Sequence, residues 1–117
     1  MKENVRAAVA AIALAHSSGR KVTSVYDYSR SGYRTMDAEV NGGSVSGYDY
    51  SASCFIDGTI PNLYHYGESC FIDFTPKEGG KYDGYDYGSS CFFEVTVTGT
   101  NVEVYDYGEP GYYSYSL

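Results

Sequence analysis

A chain of 117 residues with a net charge of −7 has room for one domain and one modest hydrophobic core. The negative net charge opposes direct binding to nucleic acid. No stretch of the sequence approaches the ~20 apolar residues of a membrane-spanning helix. Three cysteines without a C-x-x-C pair exclude an evident disulfide framework and favour a reduced compartment, so we expect a cytoplasmic protein.

Residues 3–17 predict the first element, a helix. Alanine dominates this segment, and one apolar stripe is formed by Val5, Val9, Ile12 and His16. Gly19 then supplies a helix stop. Because the stripe is narrow and the residues are small, we expect the helix to pack closely against a sheet.

The same segment has an alternative interpretation as a secretory signal peptide. Lys2 and Arg6 flank its start, an apolar run follows, and residues 13–15 read Ala-Leu-Ala, which is similar to a cleavage site. The apolar run is mostly alanine, however, and this composition favours an ordinary helix.

From residue 22 onward the pattern changes to a period of two, and a ten-residue repeat occurs five times. Copies 1 to 5 are VYDYSRSGYR from Val25, GYDYSASCFI from Gly47, LYHYGESCFI from Leu63, GYDYGSSCFF from Gly84 and VYDYGEPGYY from Val104. Each copy has two tyrosines around a middle residue, which is Asp in four copies and His65 in copy 3. We therefore expect a single domain, 1–117, in which a repeat β array over 22–117 follows the helix.

The middle of each copy has the chemistry of a tight turn, with Ser, Gly and once Pro. Tyr-x-Tyr therefore ends one strand, and Cys-Phe or Gly-Tyr begins the next. Further turn signals lie between the copies, as in Gly99-Thr100-Asn101. The predicted fold is α+β and mostly β: an N-terminal helix and an antiparallel meander of about ten short strands. A β-solenoid is the alternative, and closure into a barrel or sandwich stays open.

Alternation along a strand places both tyrosines of a copy on one face and the middle residue on the other. We expect the tyrosines to form mostly core and the aspartates to form an acidic column. That column either stabilises the turns or binds a basic partner. The candidate partner-binding residues are Asp27, Asp49, Asp57, Asp73, Asp86, Glu94, Asp106, Tyr48, Tyr64, Tyr85 and Tyr105.

The sequence contains no catalytic or phosphate-binding motif. Its two histidines lie on separate elements, and its carboxylates are copied from repeat to repeat, whereas a catalytic residue is usually singular. The three cysteines share their repeat position with Gly32 and Gly111, which indicates a small buried site. We expect no enzyme activity, no cofactor and no metal site.

In its small size and in the acidic Asp-Tyr array at 35–117, the chain resembles the compact inhibitor proteins of phages and mobile elements, of the anti-CRISPR or anti-restriction type. The resemblance implies a non-catalytic protein that occupies the basic nucleic-acid-binding surface of a partner protein. The alternative is a structural or recognition module whose tyrosine ladder binds sugar, peptide or a copy of itself. The sequence leaves the partner and the oligomeric state open.

Overall fold

The computed structural model describes residues 1–117, which form one α-helix, ten β-strands and a short 3₁₀ turn at Glu78–Gly80. Their bounds are α1 Glu3–Ser18, β1 Val22–Asp27, β2 Gly32–Asn41, β3 Ser44–Asp49, β4 Cys54–Thr59, β5 Asn62–His65, β6 Cys70–Pro76, β7 Lys81–Asp86, β8 Cys91–Thr98, β9 Asn101–Asp106 and β10 Gly111–Ser116. Each strand pairs antiparallel with its chain neighbours, and β10 pairs with β1. The predicted helix and ten strands are confirmed, but the sheet is a closed barrel rather than an open meander or a solenoid.

Each copy of the repeat forms one hairpin, as its turn residues predict. The odd-numbered strand ends on the middle residue of Tyr-x-Tyr, a four-residue turn follows, and the even-numbered strand begins at Gly or Cys. In copy 1 the Arg30 amide donates to the Asp27 carbonyl at 3.1 Å, and Ser31 adopts a left-handed conformation at φ 52°. The five turns (28–31, 50–53, 66–69, 87–90 and 107–110) lie at one end of the barrel, the turn rim. The opposite end is the far rim.

The helix α1 lies inside the barrel. All eleven residues from Val5 to Ala15 are buried, so the expectation that the helix packs against one sheet with one stripe is wrong. A helix buried on every side has to be apolar on nearly every side. An eight-stranded barrel is just wide enough for its own side chains, and ten strands admit a helix whose side chains are mostly alanine.

The ends of α1 fix its direction in the barrel. Arg6 contacts Asp106 at the turn rim, and His16 Nδ1 lies 2.8 Å from the Tyr82 hydroxyl at the far rim. The predicted stop is confirmed, because Gly19 has φ 70° and its amide donates to the Ala15 carbonyl at 3.0 Å. The structure contains no helix with the length and apolar character needed to cross a membrane.

The helix and the inward-facing side chains of the strands, including large rings such as Phe93 and Tyr115, together fill the lumen. Around the helix the core consists mainly of aliphatic residues such as Val25, Leu63, Ile72 and Val104. Gly84 also faces inward, and the Phe93 ring lies where a Cβ of residue 84 would be. The repeat tyrosines therefore face outward, and the expectation that they form most of the core is wrong.

Replacing Ala11 and Ala13 by Leu, one at a time, tests the central position of α1. Both residues are buried, and they lie about 200° apart around the helix, so a helix packed on one sheet would tolerate one replacement. Inside the barrel each variant is expected to lower the free energy of unfolding by about 1–3 kcal/mol, measured by urea denaturation. Ser17→Ala on the exposed last turn is the control. Unchanged stability of either Leu variant contradicts the central position.

Candidate functional site

The middle residues of the five copies form a ring inside the barrel at the turn rim. This inner ring consists of Asp27, Asp49, His65, Asp86 and Asp106. Each of the five is at most 1% exposed. Four of the candidate partner-binding residues therefore lie in the lumen, and the expectation of an accessible acidic column is wrong for them. The alternation of residues along each strand correctly assigned the tyrosines and the aspartates to opposite faces, but closure of the sheet into a barrel placed the aspartate face on the inside.

One acceptor atom of each ring residue binds the turn that follows it. Asp86 Oδ1 accepts the Gly88 amide at 2.8 Å, and Asp106 Oδ1 accepts the Gly108 amide at the same distance. Asp27 and Asp49 accept the amides of Ser29 and Ser51 in the same way, and His65 Nδ1 accepts the Glu68 amide at 3.1 Å. The turn-stabilising role considered for these residues is confirmed.

The second carboxylate oxygen of each aspartate points into the lumen, where cations reach only two of them. Asp106 Oδ2 lies 2.9 Å from the nitrogen of the Met1 ammonium and 3.0 Å from Arg6 Nη1. Asp49 Oδ2 lies 3.1 Å from Arg34 Nη2. The corresponding oxygens of Asp27 and Asp86 have no hydrogen-bond partner in the protein. The ring also surrounds the N-terminal, positive end of the α1 dipole, which favours negative charge there.

The Asp106 carboxyl is strongly held in its ionised form. Burial by itself would raise its pKa, but the Met1 ammonium, two turn amides and the Arg6 guanidinium outweigh burial and lower the pKa below its ordinary value. Charge-assisted hydrogen bonds of this kind are stronger than neutral ones. Asp106 therefore joins the last hairpin to the first residues of the chain.

Arg34 reaches the inner ring because β2 is displaced by two residues against the next hairpin, relative to β4, β6 and β8. The strand β10 has the same displacement, since the Tyr28 amide donates to the Ser114 carbonyl, three residues after Gly111. The Tyr66 amide donates to the Phe55 carbonyl, one residue after Cys54, but the Tyr50 amide donates to the Thr35 carbonyl, three residues after Gly32. Arg34 thus occupies the place that the cysteines hold in copies 2 to 4. Gly32 holds the place of Cys54 within its own hairpin, opposite the ring aspartate, but it is only half-buried, so the expectation of a small buried site is wrong there.

Among the titratable side chains of the interior, His65 and the three cysteine thiols are uncharged. Burial lowers the pKa of His65 despite nearby carboxylates, so the ring is neutral at this position at pH 7. Burial, followed by the Asp86 charge, raises the pKa of Cys70 to about 11, and burial also raises the pKa of Cys54 and Cys91. The thiols remain protonated at neutral pH and offer no thiolate nucleophile.

The outer surface at the turn rim has a collar of fifteen aromatic residues. Each copy contributes a triad in which a half-buried central tyrosine meets two exposed rings, with centroids 4.6–5.0 Å apart and edge-to-face geometry. The triads, central residue first, are Tyr26/Tyr28/Tyr33, Tyr48/Tyr50/Phe55, Tyr64/Tyr66/Phe71, Tyr85/Tyr87/Phe92 and Tyr105/Tyr107/Tyr112. The ten outer rings are 51–70% exposed. Aromatic surface on this scale marks an interaction site in soluble proteins.

Carboxylates on the even-numbered strands connect one triad to the next. Tyr50 donates its hydroxyl to Asp37 at 2.9 Å, Tyr87 donates to Asp73 at 2.8 Å, and Tyr107 donates to Glu94. The Asp57 carboxylate raises the pKa of the Tyr66 hydroxyl in the equivalent place. Between copies 5 and 1 the Tyr28 hydroxyl oxygen lies 3.2 Å from Ser116 Oγ, so an uncharged hydroxyl takes the place of the carboxylate there.

The candidate residues of the outer face are thus divided between two roles. Tyr48, Tyr64, Tyr85 and Tyr105 are the half-buried centres of triads, whereas the carboxylates Asp57, Asp73 and Glu94 lie beside the exposed rings. The exposed rings themselves were missed. An aromatic residue directly after Cys or Gly in all five copies was the available signal.

The outer surface carries a slightly smaller net negative charge than the whole chain. With four aspartates, Arg6 and Arg34 buried, eleven acidic residues and six Lys or Arg remain outside, a net charge of −5. No three His, Cys, Asp or Glu side chains converge in a geometry that holds a metal ion. Comparison of the chain with protein-family models, with curated proteins and with solved structures finds no match.

Two substitutions by Asn distinguish the paired from the unpaired carboxylates of the inner ring. Asn keeps a side-chain oxygen for the turn amides but removes the charge. Asp106→Asn is expected to lower the free energy of unfolding by about 3 kcal/mol, because it leaves the buried Met1 ammonium without its anion and Arg6 with only the exposed Glu109 at 3.7 Å. Asp86→Asn, which removes a buried charge without a cation, is expected to leave stability unchanged or to raise it. Urea denaturation gives both values, and equal losses contradict this assignment.

The lowered pKa of His65 predicts a loss of stability in mild acid. Unfolded His65 takes up a proton as the pH falls below about 6.5, whereas the folded protein resists protonation, so stability present above this pH is progressively lost below it. His65→Asn retains an acceptor for the Glu68 amide without titrating. Between pH 7.5 and 5.5 the wild type should lose stability relative to this variant in urea denaturation. Parallel pH profiles contradict the prediction.

Proposed function

We propose that this protein is a non-catalytic binding protein that attaches to a partner protein through the aromatic collar. The observation that carries the proposal is the circle of ten exposed rings at the turn rim. Tyrosine is enriched among the residues that dominate binding energy, since its ring gives a large contact area and its hydroxyl a hydrogen bond. The rings are held by triad packing, so little conformational freedom is lost on binding.

The partner presents a basic surface. The outside of the barrel has a net charge of −5, and carboxylates alternate with the exposed rings around the collar. An inhibitor that occupies the nucleic-acid-binding surface of another protein needs this combination of negative charge and aromatic anchors. Because the four repeat aspartates are buried, the outer carboxylates Asp37, Asp57, Asp73 and Glu94 provide the charge in this proposal.

A recognition module for sugars is the second candidate function. Grooves between neighbouring triads combine aromatic rings with hydroxyl and carboxylate groups, as around Tyr48, Tyr50 and Phe55. The two candidates respond differently to salt. Binding to a basic protein weakens steeply as salt rises, whereas stacking of a neutral sugar on the rings changes little.

Replacing Phe55, Phe71 and Phe92 together by Thr tests the collar. Thr suits a strand, and all three positions are exposed, so the fold is retained. The amount of partner captured from a cell lysate, quantified by mass spectrometry, is expected to fall at least ~10-fold. The matched control replaces three exposed far-rim residues by Thr, namely Ser44, Asn62 and Asn101. Equal capture by both triple variants contradicts the proposed function.

A further inference from the structure

One groove of the collar has a distinctive combination of aromatic walls and charge. It lies on the outside of β7–β9, between the triads of copies 4 and 5, and we call it the copy-4/5 groove. Phe92 and Tyr107 line one part of it, and Tyr105 and Tyr112 line the part on the other side of Glu94. These two parts have volumes of ≈ 400 and ≈ 530 Å³, large enough for an extended side chain.

The polar groups of the copy-4/5 groove are mostly carboxylates. Asp83 and Glu94 are directly opposite each other on β7 and β8, and both are exposed. Like charges in this arrangement destabilise a sheet. Glu103 adds a third carboxylate from β9, and Lys81 is the one cation that lines the groove. Asp83 has a distant ion pair with Lys77 at 3.8 Å, whereas Glu94 and Glu103 have none.

A second groove of the collar shows how the protein places a cation in such surroundings. Between copies 1 and 2, Lys21 Nζ lies 3.9 Å from Asp37, in a groove that also contains Glu39, Tyr48 and Phe55. The chain therefore supplies its own ammonium group against that carboxylate. In the copy-4/5 groove three carboxylates are present, and the lining Lys81 forms no ion pair within 4 Å, so negative charge remains in excess.

Arginine is the side chain that matches this groove best. Its planar guanidinium stacks on aromatic rings and forms hydrogen bonds with two carboxylates at once. A neutral sugar would leave the opposed carboxylates uncompensated. We propose that the copy-4/5 groove binds an arginine side chain of the partner protein. This inference rests on the proposed function, because it names the chemistry by which the collar recognises its basic partner.

The test uses the intact protein and acetylated triarginine amide as the probe. The Kd is measured by NMR titration, which also reports whether Phe92 and Tyr107 respond. Asp83→Asn with Glu103→Gln is expected to weaken binding at least ~10-fold, as hydrogen bonds to charged groups contribute about this much or more. Glu94 stays intact, so the Tyr107 hydroxyl keeps its acceptor.

The matched control, Glu68→Gln with Glu78→Gln, removes the same number of negative charges outside the groove. It is expected to change the Kd less than ~2-fold at physiological salt. Equal weakening by both double variants overturns the inference, because it indicates long-range attraction alone. Absence of triarginine binding, or binding of neutral cellohexaose at Phe92 and Tyr107 in its place, also overturns it. Loss of the partner with the triple Thr variant but not with Asp83→Asn/Glu103→Gln overturns this inference and leaves the proposed function standing.

The single variant Asp83→Asn gives an independent readout. It removes one of two directly opposed charges, so Tm is expected to rise by about 2 °C while triarginine binding weakens. The Lys77 contact that is lost is exposed and contributes little. A fall in Tm, or unchanged binding, contradicts the assignment of this carboxylate to arginine recognition.

Discussion

Four carboxylates enclosed in a small barrel have to be compensated by groups that the barrel encloses with them. The turn amides satisfy one oxygen of each aspartate, and Arg6, Arg34 and the Met1 ammonium approach the second oxygen of two. This requirement explains why α1 enters with its N-terminal end at the turn rim, where its dipole and Arg6 face the inner ring. Neutral His65 limits the ring to four charges.

The enclosed helix in turn determines what the outside of the barrel presents. Because α1 and the other inward-facing side chains together fill the lumen, the repeat tyrosines lie on the outside of the barrel. There they pack as triads and donate hydroxyls to carboxylates on the neighbouring strand. The acidic residues thus divide into two populations. Those of the inner ring hold the turns, and those of the outer face, such as Asp37 and Asp73, accept hydroxyl groups of the exposed rings.

The extent to which the candidate site followed from the sequence depended on whether the five copies are structurally equivalent. Asp73 and Glu94 lie on the tyrosine face and not in one column with the repeat aspartates, because they are directly opposite Tyr85 and Tyr105 on the next strand. Arg34 did not follow, since β2 pairs with β3 two residues further along than β4 pairs with β5, and the repeat does not determine how successive hairpins pair. The opposed pair of Asp83 and Glu94 follows from the four-residue turn 87–90, because the turn sets the register of its hairpin.

The sequence by itself determined the elements of this protein. Its alanine-rich start, five turns and period of two gave one helix, ten short strands and the division of each strand into a tyrosine face and an aspartate face. The alternation of residues along a strand does not determine which face is inside, however, because it separates the two faces without distinguishing inner from outer. Only closure around α1 decided that, since the enclosed lumen has a fixed volume that the helix and the other core residues fill, and it admits aspartate once amides and guanidinium groups satisfy the carboxylate.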